Sequence, residues 1–215
     1  MLLTDADLLR LEPNLFSEIR WVSQQLIKAS GTVSGTTLTI SSFDVNFDGA
    51  QLAPGMVVLI NEIPHEVVAK LSATTAQISR VRAAASDTVL VPAPITGATV
   101  ILHTFRPQIV IVTDRVFRSL GLDPAQPATD SQGNPSPIVT NPEALARYAA
   151  LATLASIFSS ASEIQSPDGP LARRAKRYEQ LVSLERSSLV AEIDADGDFL
   201  PDATRRASIV PLIRT

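Results

Sequence analysis

The chain has 215 residues, a net charge of −4, 45% hydrophobic and 19% charged residues, no cysteine and two histidines. This composition supports a substantial apolar core in one domain or two small ones. It excludes disulfides, thiolate metal sites and cysteine nucleophiles, and the acidic balance argues against a protein that grips nucleic-acid phosphates. The N-terminus lacks the basic region of a signal peptide, and no apolar run approaches the roughly 20 residues of a membrane span. We therefore expect a soluble protein made inside the cell.

Two helices are predicted at the start of the chain. A short helix is expected over residues 5–11, and a longer one over residues 14–30. The longer segment carries an apolar stripe with spacings of four and three, which is typical of an amphipathic helix. The residues of this stripe are Leu15, Ile19, Val22 and Leu26.

From residue 31 to 105 the pattern changes to short, β-branched runs separated by turn-forming residues. The segments TVSGTTLTISS, MVVLI and HEVVAKL are examples, and turns are indicated at Asp48-Gly49 and Pro54-Gly55. Many short strands at close spacing predict a small all-β barrel or sandwich of five or six strands.

Helical patterns return after residue 106. One helix is expected over residues 107–120, although its IVIV run would also suit a strand. Residues 122–140 contain four prolines and predict an extended loop. An alanine-rich helix then starts at Asn141-Pro142-Glu143 and runs to about residue 161, and a last helix is expected over residues 169–190. The apolar tail SIVPLIR alternates and suits a strand.

An isolated amphipathic helix is marginal in water. The helix over residues 14–30 is therefore expected to pack with the helices after residue 106. The predicted fold class is α+β: a bundle of about four helices, formed by residues 1–30 and 106–192, with a small all-β barrel or sandwich domain inserted at residues 31–105. Residues 193–215 form a C-terminal extended arm in this prediction.

An acidic stretch near the C-terminus, EIDADGDFLPDATRR, places carboxylates at alternate positions, as calcium loops do. Aligned from its first aspartate, however, the glycine lies one place early, and Arg205 falls where a bidentate glutamate belongs. The favoured interpretation is a tight turn whose acids stay solvated or pair with Arg205 and Arg206. Calcium binding is the minority hypothesis, and its candidate ligands are Asp194, Asp196, Asp198 and Asp202.

The one dense basic run, ARRAKR at residues 172–177, falls on the last predicted helix. A solvated helix face is one interpretation, and a contact with nucleic acid or with an acidic patch on a partner is the other. Partner or subunit interface residues are predicted here and after the acidic stretch. They are Arg173, Arg174, Arg177, Arg205 and Arg206.

No recognisable catalytic constellation accompanies His65 or His103, and both are expected to be structural residues in strands. Trp21 is expected to be a packing or interface anchor. No phosphate-binding glycine loop and no nucleophile elbow occurs in the sequence. The prediction is therefore a protein that is not an enzyme and that needs no cofactor.

Several phrases of the chain resemble the head–tail connector (adaptor) proteins of tailed bacteriophages and phage-like particles. They are TDADLLRLEPNL, WVSQQLIKASGTVSGTTLT, TFRPQI and NPEALARYAALATLASIF. The likeness covers nearly the whole chain, and the β insertion departs from the smallest, all-helical members. The resemblance implies a homo-oligomeric ring, usually of twelve copies, docked under the portal. It also implies a tail terminator or further neck proteins on the lower face and DNA in the lumen.

The predicted function is thus a structural neck protein of the virion, made in the host bacterial cytoplasm. It would connect portal to tail and extend the DNA channel without sequence-specific DNA binding and without a membrane partner. Two alternatives stay open: another phage structural component, such as a tail terminator or baseplate protein, and a calcium-dependent binding module. Because an apolar terminal strand can add to a partner's sheet edge, the tail is predicted to contact the portal. The predicted portal-binding residues are Ile209, Val210, Leu212 and Ile213.

Overall fold

The structure is a computed structural model that describes residues 2–129, 135–165 and 169–206. The chain divides into two compact units. We call Thr4–Arg106 the barrel unit, and Met1–Leu3 together with Pro107–Thr215 the C-terminal unit.

Six antiparallel strands form the barrel unit and close in the order β1-β2-β5-β4-β3-β6. The strands are β1 Gln25–Ser34, β2 Thr37–Ser41, β3 Val57–Ile60, β4 Ile63–Lys70, β5 Thr75–Ser79 and β6 Ile95–His103. Their inward side chains fill the interior as one apolar core. This core includes Ile27, Val33, Leu38, Val58, Val67, Ile78, Val100 and Leu102.

Gly31 allows close packing inside this small barrel. A Cβ at this position would lie 2.7 Å from Val100 Cγ2 and 3.0 Å from the backbone oxygen of Thr39. Real Cβ atoms do not approach other atoms so closely, so the packing of β1 against its neighbours needs glycine here.

The prediction of a helix over residues 14–30 is wrong. Helix α1, Asp5–Leu11, is followed by a single turn, α2 Leu15–Glu18, and by a 3-10 turn at Val22–Gln24, and β1 begins at Gln25. Along β1 buried and exposed residues alternate, because every second side chain points into the barrel. Val22, a member of the predicted helical stripe, is 91% exposed.

This result changes the fold class. Both α1 and α2 lie in the barrel unit, and they contact β3 and β4. A helical bundle interrupted by an inserted barrel is therefore not the architecture. The predicted helix could not be buried among later helices because its second half supplies a barrel strand that pairs with both β2 and β6.

Buried ion pairs join α1 to the barrel. Glu66 on β4 is 2% exposed and accepts a two-pronged contact from Arg82, with Nε–Oε2 at 3.0 Å and a terminal nitrogen–Oε1 at 2.8 Å. Arg10 on α1 donates to the same Glu66 Oε1 at 3.0 Å, and to the backbone oxygen of Arg82 at 2.8 Å. A two-pronged arginine–carboxylate contact is both strong and specific in orientation, so these three residues fix α1 on the barrel.

The C-terminal unit combines three helices with a small antiparallel sheet. The helices are α3 Arg106–Ser119, α4 Pro142–Gln165 and α5 Pro170–Ser188, and the strands are β7 Ile138–Val139, β8 Val190–Asp194 and β9 Ala203–Arg206, in the order β7-β8-β9. All three helices lie close to the ranges predicted from the sequence. The segment predicted as an extended arm instead belongs to this sheet as far as Arg206.

Helices α4 and α5 pack as an antiparallel pair. Near their connection, the rings of Phe158 and Tyr178 stack with centroids 5.5 Å apart, and at the far ends Arg147 contacts Glu185 at 3.3 Å. Residues 142–163 of α4 are long and apolar enough to cross a membrane, with a mean hydropathy of 1.2, but 56% of this window is buried inside the protein. Such burial is what the core helix of a folded unit shows.

Candidate functional site

The acidic stretch forms the turn of a hairpin between β8 and β9. We call residues 194–202 the Asp hairpin. Asp194 ends β8 and is fully buried. Its Oδ1 accepts the backbone N–H groups of Asp196 at 3.1 Å and Gly197 at 2.7 Å, and its Oδ2 accepts the N–H of Phe199 at 2.8 Å. One carboxylate thus organises the first half of the turn.

The remaining aspartates hold the rest of the hairpin. Asp198 accepts the N–H of Leu200 at 2.7 Å, and Asp202 accepts the N–H of Ala195 at 2.7 Å. Gly197 has a φ of 84°, and Phe199 has a φ of 66°. Positive φ is unusual for phenylalanine, and the hydrogen bond from Phe199 to Asp194 holds the backbone in this conformation.

The environment pushes the pKa values of two hairpin aspartates in opposite directions. Burial alone would raise the pKa of Asp194, but three backbone N–H donors stabilise the carboxylate and hold its pKa below the ordinary value. The N–H of Asp198 favours ionised Asp196, but desolvation and the other carboxylates of the hairpin outweigh it and raise the pKa of Asp196. The buried aspartate is therefore ionised near neutral pH, and the exposed one shares its site with like charges.

Three of the four predicted calcium ligands come together. Carboxylate oxygens of Asp194, Asp196 and Asp202 lie within 4.8 Å of one another, and Asp198 is not part of this group. Calcium takes six to eight oxygen ligands, whereas both oxygens of Asp194 already accept backbone N–H groups. The hairpin is thus held by its own amides, and calcium binding remains a prediction.

The tip of the hairpin exposes two large apolar side chains. Phe199 is 78% exposed and Leu200 is 65% exposed. Phe199 occupies the position where a calcium loop has glycine. The sequence signal for an apolar tip is the Phe199-Leu200 pair between aspartates. Residues at a turn lie at the protein surface, so two large apolar side chains there are expected to be exposed.

The five predicted interface arginines have different environments. Arg173 and Arg177 are exposed on α5, and neither forms an ion pair within the described part of the chain. Arg174 instead lies over the ring of Phe158, with its guanidinium carbon 5.6 Å from the ring centroid, which is a cation–π contact inside the unit.

Arg205 and Arg206 both lie on β9. One terminal nitrogen of Arg205 donates to the backbone oxygens of Leu120 at 2.6 Å and Gly121 at 3.2 Å, at the C-terminal end of α3 where a cation is favourable. Arg206 is exposed. The predicted portal-binding residues Ile209, Val210, Leu212 and Ile213 lie outside the described residues.

The two histidines of the barrel unit are buried. His103 Nε2 accepts the backbone N–H of Trp21 at 3.2 Å, and the ring packs edge-on against Phe105 and Phe16. Burial, with the nearby charge of Arg20, lowers the pKa of His103 to about 4. His103 is therefore neutral near pH 7.

His65 donates its Nδ1 hydrogen to the backbone oxygen of Ile63 at 2.9 Å. Burial and the charge of Arg80 lower its pKa as well. Both histidines are thus engaged with backbone groups of the barrel unit, which is the structural role that the sequence predicts for them.

No family model, no curated protein and no solved structure matches this chain. The resemblance to connector proteins thus stays a prediction, and the function has to be argued from the chain itself.

Proposed function

We propose that this protein is a structural subunit of a phage-like particle that forms a homo-oligomeric neck ring between portal and tail. The ring would extend the DNA channel and give the tail a docking surface. The proposal starts from the resemblance to connector proteins of four phrases that are distributed between residues 4 and 158.

The observation that carries the proposal is the distribution of exposed apolar residues in the C-terminal unit. Val110 and Ile111 are 46% and 51% exposed on α3, Leu184 is 69% exposed on α5, and the Asp hairpin exposes Phe199 and Leu200. These positions lie on three separate elements. A ring subunit needs such separate contact surfaces, because it contacts two neighbours and further partners above and below.

The polar groups of the barrel unit support a non-enzymatic role. Glu66 is neutralised by Arg82 and Arg10, and the buried Asp5 accepts hydrogen bonds from Thr104 Oγ1 at 2.6 Å and from the N–H of Phe105 at 2.8 Å. Each of these groups stabilises the fold. A catalytic pair would instead keep one group directed at an open cleft.

The charge of the chain suits a DNA channel. With a net charge of −4, a ring of many copies would repel the phosphates of DNA in its lumen rather than bind them. DNA could then slide through during packaging and ejection.

Imaging of particles that carry or lack the gene tests the proposal. Particles without the protein should contain filled heads that fail to join tails, and labelled protein should lie at the neck with a symmetry of about twelve copies. Overlong tails and sixfold symmetry would instead identify a tail terminator, and a label at the distal tip would identify a baseplate protein. Either of these two results would refute the neck assignment.

A truncation tests the portal contact separately. Removing residues 207–215 should abolish co-sedimentation with the portal protein of the same particle. A full-length variant with serine at Ile209, Val210, Leu212 and Ile213 should behave like the truncation. Unchanged portal binding by both proteins would remove these residues from the portal interface. Calorimetry with millimolar calcium tests the alternative binding module, which a large chelator-sensitive heat would favour.

A further inference from the structure

The Asp hairpin has the features of a preformed docking element. Its tip exposes Phe199 and Leu200, while five hydrogen bonds from backbone N–H groups to Asp194, Asp198 and Asp202 fix its backbone. An apolar tip on a fixed backbone loses little conformational entropy when a partner covers it.

The rim of this tip is acidic and lacks neutralising cations. Asp196, Asp198 and Asp202 are exposed, and none of them forms an ion pair in the described ranges. Arg205, the nearest cation along the strand, donates to the end of α3 instead. The surface that fits the tip is therefore apolar at its centre and basic around it.

One face of α5 carries both kinds of group, with basic residues toward its N-terminal end and an apolar residue toward its C-terminal end. Arg173, Arg177, Gln180 and Leu184 are spaced by four, three and four residues, which places them along one face of the helix, and we call them the α5 stripe. All four are exposed, and Leu184 reaches 69% exposure. The two arginines have no carboxylate partner among the described residues, and Lys176 adds a third exposed cation beside them.

We propose that the Asp hairpin of one copy docks on the α5 stripe of a second copy of this chain. The tip residues Phe199 and Leu200 cover Leu184, and the carboxylates of the rim face the basic end of the stripe, of which Arg177, about 10 Å from Leu184 along the helix, is the nearer arginine. The two surfaces differ, so each copy offers one of each, and the contact is of the head-to-tail kind that closes into rings. The inference rests on the proposed neck function, because it names the contact between neighbouring ring subunits.

Charge exchange tests the contact on the full-length chain. Arg177→Glu and Asp198→Lys should each weaken self-association by at least about tenfold, because like charges would then face each other. An equimolar mixture of the two variants should recover association, since every contact in an alternating ring is again between opposite charges. Arg177→Glu leaves the hairpin untouched, so the test holds even if Asp198→Lys distorts the turn. Sedimentation velocity measures the association.

Disulfide trapping tests the same contact independently. The chain has no cysteine, so a Leu184→Cys/Leu200→Cys double variant contains only the two introduced thiols. Oxidation should yield a ladder of cross-linked copies, with the 184–200 linkage identified by mass spectrometry. The matched control, Leu71→Cys/Leu200→Cys, uses an exposed leucine of the barrel unit, 57% exposed against 69% for Leu184, and should not produce a ladder.

The outcomes separate this inference from the proposed function. Rings that persist in both charge variants, together with a Leu184→Cys/Leu200→Cys variant that does not form the 184–200 linkage, would refute the hairpin contact and leave the neck function standing. A specific 184–200 linkage in a protein absent from the particle neck would support the contact and refute the function. A wild-type chain that stays monomeric alone and with its portal, together with a Leu184→Cys/Leu200→Cys variant that cross-links no more than the control, would refute the contact.

Discussion

The buried carboxylate of Glu66 offers the sharpest test of the barrel unit. Glu66 is 2% exposed and accepts three charge-assisted hydrogen bonds, two from Arg82 and one from Arg10. In Glu66→Gln the amide keeps one oxygen acceptor and turns an NH2 group toward an arginine N–H. The variant therefore loses the negative charge and places two donors against each other.

The expected loss of stability follows from the arginine charge that remains buried without its partner. Arg82 is 6% exposed and keeps its charge, and removing one partner of a buried ion pair costs about 3–5 kcal/mol. If the free energy of unfolding falls by about 2 kcal/mol per molar urea, this loss lowers the urea concentration at the unfolding midpoint by about 2 M. Arg82 also donates to the backbone oxygens of Ala85 and Asp87, each at 2.8 Å, so the loop that carries it should loosen as well.

Urea unfolding followed by the fluorescence of Trp21 measures this loss, because the sole tryptophan lies in the barrel unit, 5.6 Å from the ring of Phe105. Glu62→Gln is the matched control. Glu62 pairs with Arg20 at 2.8 Å, but the two side chains are 56% and 39% exposed, so the loss should stay below about 1 kcal/mol. Equal midpoints for the two variants would refute the view that the Glu66 ion pairs hold the unit together.

Three further predictions concern other parts of the chain. Burial raises the pKa of Asp5 to about 6 from 3.8. Its contribution to stability is therefore fully present below about pH 4 and is lost as the pH rises toward 6. The free energy of unfolding of the wild-type chain should fall by about 3 kcal/mol over this range because of Asp5, and this fall should be missing in Asp5→Asn. Gly31→Ala should lower stability by about 1–3 kcal/mol in thermal melts, because its Cβ would lie 2.7 Å from Val100. Asp194→Ala should speed hydrogen exchange of the amides of residues 196, 197 and 199 by about tenfold or more, with or without a calcium chelator, whereas unchanged exchange would refute the hydrogen bonds assigned to Asp194.

Sequence patterns identified the later helices because those helices bury a continuous apolar side. In α3, Ile109, Val112 and Val116 are buried at spacings of three and four, a period that favours a helix over 14 residues although the IVIV run alone would also suit a strand. The helix α5 was bounded correctly for a similar reason, with Pro170 at its start and inward residues at regular intervals.

The first predicted helix failed because two periods compete in the same residues. Spacings of three and four among Leu15, Ile19, Val22 and Leu26 suggest a helix, but the alternation that starts at Ile27 belongs to a strand. Pairing with a strand distant in sequence decides between helix and strand. β1 pairs with β2 and also with β6, which lies about 70 residues later in the chain. Local patterns do not contain this information, and tertiary pairing overrides them.

The Asp hairpin shows the same limit at the scale of a site. Alternating aspartates suit a metal loop and a hydrogen-bonded turn equally well, because in both cases side-chain oxygens point toward the inside of the loop. In this chain both oxygens of Asp194 accept backbone N–H groups, so this carboxylate organises the turn through hydrogen bonds. The same hydrogen bonds hold Phe199 at positive φ and present it to solvent. The acids therefore explain why two large apolar side chains are held exposed at this turn.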